Sequence, residues 1–237
     1  MPEQIWKIGD CRHHLTQLPK IDLICTDPPF NFITYGQGIM RKTDYLLKIQ
    51  EEFGSDFDPR IYMDIFYELV KPFNAYFFCN KTLVPVYIEW AARKKLSWDI
   101  LTWIKPNPTP LHNNHYLPDI EYIIFMKDAG AYWNPSLKFD YYRKWIMEDS
   151  PNQHKTTYDH PSAKPVSIIK KLLLVSCPPN GKVLDPFLGS GTTLQACKEL
   201  DIEGYGYELN SIYEPVIKKR LNGANSLETW GAGQIVA

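Results

Sequence analysis

Short apolar runs recur along the chain, each with the length and composition of a buried strand. Seven stand out: 4–8 (QIWKI), 21–26 (IDLICT), 74–79 (NAYFFC), 98–104 (WDILTWI), 120–126 (IEYIIFM), 182–186 (KVLDP) and 203–208 (EGYGYE). Between several of them the period changes to that of a helix. In 58–71, Ile61, Ile65, Phe66, Leu69 and Val70 fall on one face. Lys81 to Lys95 predicts a second helix, and Lys164 to Ser176 a third through Ile168, Ile169, Leu172 and Leu173. Residues 191–200 and 211–221 predict two more. Strands alternating with helices imply an α/β fold, a mostly parallel sheet covered on both faces. In such sheets ligands bind beyond the carboxyl ends of the strands.

Two stretches break the alternation. Asn31 to Phe57 is long, polar and punctuated by Gly36, Gly38 and Gly54, which predicts a mobile loop with a short helix over 44–53. Asp128 to His160 mixes Tyr132, Trp133, Phe139, Tyr141, Tyr142 and Trp145 with Lys138, Arg143, Lys144 and Lys155, and reads as an insert rather than a sheet element. The tail, 222–237, is small and polar without periodicity and is expected to be disordered. The 237 residues therefore suit one catalytic domain over 1–221 that carries the loop 31–57 and the insert 128–160.

Composition narrows the class. With 44% hydrophobic and 22% charged residues, the chain is an ordinary soluble globule. No apolar run approaches the ~20 residues of a membrane span. The start, Met1-Pro2-Glu3-Gln4, lacks the basic and apolar regions of a signal peptide, so the cytoplasm is the expected compartment and no membrane partner is expected. Cys11, Cys25, Cys79, Cys177 and Cys197 form no C-x-x-C pair and mostly sit in apolar contexts, which predicts core thiols rather than zinc or disulfides. The net charge of −1 does not announce nucleic acid, so such a partner would need a local basic face. His112-Asn113-Asn114-His115 offers only two ligand-type side chains, so no metal is expected.

Two motifs carry chemistry. Thr26-Asp27-Pro28-Pro29-Phe30 follows the second apolar run. A carboxylate, a proline carbonyl without an N–H, a fixed backbone direction and an aromatic face could together hold a planar ring bearing an exocyclic amine. The pentapeptide alone also fits a strand that ends in a proline turn. The second motif, Val183-Leu184-Asp185-Pro186-Phe187-Leu188-Gly189-Ser190-Gly191-Thr192-Thr193, reads as strand, glycine turn and helix. Its glycines allow a tight turn and close approach of a ligand, and the helix start offers free N–H groups. The G-S-G lacks the third glycine of the dinucleotide fingerprint. Glu208 ends the next strand about 20 residues on, where an acid bonds ribose hydroxyls in this kind of fold; it equally fits an exposed strand-end acid. Phe187 could pack on an apolar part of a ligand. Asp10, ending the first strand, could accept from an adenine amino group.

With these residues in place the chain resembles an S-adenosylmethionine-dependent DNA amino-methyltransferase. Asp27-Pro28-Pro29-Phe30 resembles the family's D-P-P-[YFW] motif, and Phe187 to Gly191 its F-x-G-x-G motif. His160-Pro161-Ser162-Ala163-Lys164-Pro165 is similar to its H-P-x-x-K-P signature. Trp103-Ile104-Lys105-Pro106-Asn107-Pro108 and the strand around Glu121 also resemble the group. The catalytic motif precedes the cofactor motif, as in the circularly permuted β group, and the resemblance spans roughly residues 4–220. It implies a Rossmann-like class I methyltransferase fold with seven strands. It implies that Asp27, Pro28, Pro29 and Phe30 hold a flipped base. Asp185, Phe187, Gly189, Ser190 and Gly191 would line the S-adenosylmethionine pocket. Glu208 would bind the ribose, Asp10 the cofactor adenine, and Thr192 and Lys164 the methionine end. Asp at the first motif position favours adenine N6 over cytosine N4 in the family; C5 chemistry would need a Pro-Cys pair, which is absent.

The implied partner is double-stranded DNA. A cognate restriction endonuclease and a homodimer are further associations of the group. DNA contacts are expected from Arg41, Lys42, Arg143, Lys144 and Lys155, which alternatively are ordinary solvated charges. The region before His160 usually reads DNA sequence in the family, and here it is only about 30 residues long. Competing classes are amino-methylation of RNA or of a protein amide, where Asn usually replaces Asp27, and an inactive cofactor-binding subunit that assists a DNA-binding partner.

Overall fold

The computed structural model describes residues 2–29, 58–108, 116–150 and 163–223. Its strands are β1 (Gln4–Ile8), β2 (Leu23–Thr26), β3 (Asn74–Cys79), β4 (Ser97–Ile104), β5 (Ile120–Lys127), β6 (Trp145–Met147), β7 (Lys182–Asp185) and β8 (Glu203–Glu208). They form one sheet in the order β1-β8-β7-β2-β3-β5-β4-β6. The helices are α1 (Pro59–Leu69), α2 (Val84–Arg93), α3 (Val166–Ser176), α4 (Thr192–Glu199) and α5 (Glu214–Gly223).

Alternation along the central strands builds the two-sided core. Ile24, Ala75, Phe77, Cys79, Ile124 and Met126 face Met63 and Phe66 of α1 and Tyr87, Trp90 and Ala91 of α2. Their neighbours in sequence, Leu23, Cys25, Tyr76, Phe78, Ile123 and Phe125, face Ile168, Ile169, Leu172 and Leu173 of α3 and Ala196 and Cys197 of α4. Side chains in a strand point to opposite faces in turn, so a continuous apolar run has to be covered on both sides. A smaller cluster, Leu188, Leu194, Tyr213, Ile217 and Leu221, seats α5. All five cysteines are buried and free, as core thiols should be.

All seven expected strands are present, and β5 is the one described strand that runs against the others, antiparallel to both β3 and β4. An eighth, β6, comes from the stretch read as an insert outside the sheet. Trp145, Ile146 and Met147 pair with Thr102, Trp103 and Ile104 of β4. Only three residues long, it lay below the length at which periodicity signals a strand. Ile61 also departs from expectation: it is 56% exposed. The buried stripe of α1 is Pro59, Met63 and Phe66, continued by Val70. Ile61 lies two residues, about 200° of helical turn, from Met63. Asn222 and Gly223 belong to α5 rather than to the tail. The short helix expected over 44–53 and residues 224–237 lie outside the described residues. Among the described residues no helix is long and apolar enough to cross a membrane.

β2 hands the chain to β3 on one side of itself, whereas β7 hands it to β8 on the other. The strand order therefore reverses between β2 and β7, which pair through Leu23 with Val183 and Ile24 with Leu184. Open α/β sheets leave a crevice at such a switch point, outside the carboxyl ends of the strands.

Candidate active site

Four acids stand at or just past carboxyl ends of parallel strands: Asp10 after β1, Asp27 after β2, Asp185 closing β7 and Glu208 closing β8. Asp27 and Asp185 flank the switch point. Thr26 bridges them, donating from Oγ1 to Asp185 Oδ1 at 2.7 Å inside the core.

Asp27 is the centre of a buried charge network. The ammonium of Lys164, from the segment leading into α3, donates to Asp27 Oδ2. The same Nζ lies 3.0 Å from Glu121 Oε1 on β5. Lys105, just beyond β4, donates to Glu121 Oε2 at 2.8 Å. Lys164 also lies 5.5 Å from the centre of the Phe78 ring. Asp27 Oδ1 is buried and has no hydrogen-bond partner among the described residues. Burial disfavours the charged carboxylate and Lys164 favours it; burial prevails, with Glu121 adding to it, and the Asp27 carboxyl is pushed up to about 6. Burial works against Glu121 too, but Lys164 and Lys105 outweigh it and hold that carboxyl below its usual range. Burial would lower Lys164, and the two carboxylates instead keep it above the usual lysine range.

The glycine turn after β7 forms the second half of the site. Gly189 and Gly191 have φ of 53° and 84°, in the left-handed region where a Cβ is penalised. Glu208 reaches back to this turn: Gly189 N–H donates to its Oε2 at 2.7 Å, and Asn210 N–H to its Oε1 at 2.8 Å. Asp185 Oδ1 also accepts from Phe187 N–H at 3.1 Å. Burial raises its carboxyl against the hydrogen bonds from Thr193, Thr26 and Phe187. The Phe187 ring meets Tyr62 and Phe66 edge-on, at 5.2 and 6.4 Å between centres. Ser190 and Thr192 hydroxyls are 3.2 Å apart, and Arg220 donates to Ser190 Oγ at 3.3 Å.

Asp10 joins this side because Gly9 N–H donates to the Glu208 carbonyl at 2.7 Å. Its carboxylate accepts Arg12 N–H at 2.9 Å and the Arg12 guanidinium at 3.1, 3.0 and 2.5 Å. That guanidinium holds the Asp10 carboxyl below its usual range, and it sits 5.6 Å over the Tyr62 ring.

The fold thus gathers Asp10, Asp27, Lys164, Asp185, Phe187, Gly189, Ser190, Gly191, Thr192 and Glu208 along one edge. Lys164 is placed on the catalytic-motif side, with its ammonium on Asp27 and Glu121. Arg143 and Lys144 lie elsewhere, beside β6, four strand spacings from β2, or roughly 19 Å at 4.8 Å each. There Arg143 pairs with Asp140 at 2.7 Å and packs on Phe139 and Trp145, while Lys144 pairs with Asp99. Phe30, Arg41, Lys42, Lys155, the stretch His112–His115 and the His160–Ser162 part of the third signature lie outside the described residues. Among the described residues no metal-holding cluster of His, Cys, Asp and Glu occurs. Sequence reasoning missed Glu121 and Lys105 as site residues. The available signal was a lone acid inside the apolar run IEYIIFM and a lysine directly after the preceding run.

A strand-end carboxylate beside a glycine turn at the switch point, in this strand order, fits a Rossmann-like class I methyltransferase. The family model for N6/N4 DNA methylases matches residues 21–219, and the chain belongs to that family. It is 28% identical over 225 residues to the type II methyltransferase M2.LlaDCHI of Lactococcus lactis subsp. cremoris, covering 85% of this chain and 82% of the relative. It is 27% identical over 228 residues to M2.DpnII of Streptococcus pneumoniae, covering 86% and 84%. Among solved structures the M1.HpyAVI–SAM complex superposes with a TM-score of 0.66 at 25% identity, over 93% of this chain and 100% of that one. The protein is therefore a DNA amino-methyltransferase, an enzyme of a family whose methyl donor is S-adenosylmethionine.

Proposed function

We propose that the chain transfers a methyl group to the exocyclic N6 of adenine flipped out of duplex DNA, with Asp27 as the group that receives the amine. The observation that carries this reading is Asp27 Oδ1, a buried carboxylate oxygen without a hydrogen-bond partner among the described residues. A buried acceptor left unpaired is costly, and such groups cluster where a ligand completes them. Asp at the first motif position, rather than Ser or Thr, supports adenine over cytosine.

The residues at the glycine turn fit the cofactor. The positive φ of Gly189 and Gly191 keeps the turn free of Cβ atoms. Each Glu208 oxygen accepts an N–H, and a ribose hydroxyl would be a further donor to the same carboxylate. Asp10, both of whose oxygens accept from Arg12, would give up one of those bonds to take the adenine amine, the Phe187 ring offers a face to the adenosine, and Asp185, Ser190 and Thr192 shape the turn. When bound, S-adenosylmethionine supplies an electrophilic methyl on a sulfonium centre.

The chain's own residues do the rest. An aromatic amine is a weak nucleophile because its lone pair is delocalised into the ring. Asp27 Oδ1 and the Pro28 carbonyl accept its two N–H bonds and draw the nitrogen toward tetrahedral geometry, with Pro29 fixing the backbone. With the methyl donor bound, nitrogen would supply the electron pair of the new N–C bond, the donor would leave with the electrons of its methyl bond, and the surplus proton would pass to Asp27. A carboxyl near 6 is ionised at neutral pH yet basic enough to take that proton. Extruding the base costs a few kcal/mol of stacking. Stacking on Phe30 would offset roughly 1–3 kcal/mol of it.

Mapping modified bases in DNA from cells expressing the chain tests the proposal. N6-methyladenine at a defined sequence is expected. N4-methylcytosine would overturn the adenine assignment, and unmodified DNA with label transferred to RNA or protein would overturn the substrate class.

A further inference from the structure

The Lys164 ammonium is divided between two carboxylates. It donates to Asp27 Oδ2 and lies 3.0 Å from Glu121 Oε1. Glu121 is itself fixed from the far side by Lys105 at 2.8 Å. The side chains of Lys164, Glu121, Lys105 and Asp27 are 8%, 12%, 18% and 22% exposed, so water screens the four charges only in part. Buried ion pairs stabilise a fold little compared with apolar packing, so a four-membered network here calls for a role other than stability.

We propose that Glu121, anchored by Lys105, is a positioning residue for methyl transfer: it holds the Lys164 ammonium to one side of Asp27, so that the lysine binds Oδ2 alone and Oδ1 stays free for the amine. This inference rests on the reading of Asp27 as the amine acceptor. The groups that face Asp27 are Lys164, Glu121 on β5 and Asp185 on β7. Cys25 on β2, Cys79 on β3 and Tyr87 on α2 also lie near it, each kept neutral because burial pushes its ionisation to higher pH. Lys164 is thus the one cation facing Asp27 among the described residues, and Glu121 decides how much of its charge Asp27 feels. With Glu121 neutral, Lys164 would commit wholly to Asp27. It would draw Oδ1 into the pair and make the carboxylate a weaker proton acceptor. With Lys105 neutral, Glu121 would draw Lys164 away and have the opposite effect.

The test is a carbon-13 NMR titration of the Asp27 carboxyl in the free protein, set beside the acid limb of kcat/KM on DNA. Glu121→Gln is expected to move the titration midpoint and the limb down together by about one unit. It should also lower kcat above neutral pH by about tenfold while leaving KM for S-adenosylmethionine unchanged. Lys105→Met is expected to move both upward. A Glu121→Gln protein whose Asp27 midpoint stays within about 0.2 units of wild type would overturn the positioning role. If Glu121→Gln fails to fold, Lys105→Met decides alone: an upward shift supports the role and an unmoved midpoint overturns it. Asp27→Asn separates the two readings. Full activity in that variant overturns Asp27 as the acceptor, whereas lost activity with no shift in Glu121→Gln overturns only the role of Glu121.

Discussion

The two sides of the switch point are built by different means. On the β7–β8 side the site is made of backbone: two glycines at positive φ, the N–H of Gly189 and Phe187, and carboxylates that accept from them. The turn and the two acids that accept from it lie within one strand–turn–helix–strand unit, from Asp185 to Glu208, and Asp10 joins them from the end of β1. On the β2–β3–β5–β4 side the site is made of side-chain charge. Asp27, Lys105, Glu121 and Lys164 come from four separate segments and meet only because β5 runs antiparallel between β3 and β4. The opposite direction of β5 brings Glu121, near its start, level with Trp103, near the end of β4. The first side resembles a socket for a constant ligand; the second is an electrostatic device that can be tuned one residue at a time.

Asp27→Ala should break the contrast most sharply. Methylation is expected to fall by at least about 100-fold, with cofactor binding kept, because the glycine turn proposed to hold the cofactor lies on the other side of the switch point; isotope transfer and equilibrium binding measure the two. Activity within about tenfold of wild type would sink the role of Asp27. Next in size is the pH dependence. Asp27 must be ionised to accept the amine, and its carboxyl sits near 6. The rate should therefore be level above that value and fall roughly tenfold per unit below it, as a kcat/KM profile would show. An acid limb near the ordinary aspartate value would contradict the burial of the network.

Gly191→Ala tests the backbone side. With φ at 84° the substitution is strained by about 1–2 kcal/mol, so cofactor affinity should drop by roughly tenfold while the Asp27 titration stays in place. Thr26→Val removes the 2.7 Å bond by which the residue beside Asp27 holds Asp185. A loss of about 1–2 kcal/mol in denaturant unfolding is expected, from the buried Asp185 oxygen it deprives. The smallest effect belongs to Lys144→Ala. Its pair with Asp99 is exposed at the sheet edge, so stability should change by less than about 1 kcal/mol. The salt dependence of DNA affinity should barely change, and a slope reduced by a full unit would instead place β6 against phosphates.

The apolar runs determined most of the architecture on their own. Three of the seven expected strands coincide with observed ones to the residue: β1, β3 and β8. Each is a short run rich in apolar or aromatic residues, and β3 is buried at every position, so length and composition sufficed. The D-P-P-F and G-S-G motifs were legible for a related reason: each is a local backbone device whose chemistry sits inside a few consecutive residues. What sequence could not supply was anything that depended on which distant segments become neighbours. Three-residue β6 takes its conformation from the edge of β4 rather than from its own pattern. Ile61 matched a helical face but points to solvent, because the sheet meets α1 along Met63 and Phe66. The carboxylates that meet the Lys164 ammonium, Asp27 and Glu121, were likewise not legible in its own segment. Whether a buried lysine serves one ligand or another is set by the carboxylates that close around it, and those arrive from β2 and β5 only when the sheet has formed.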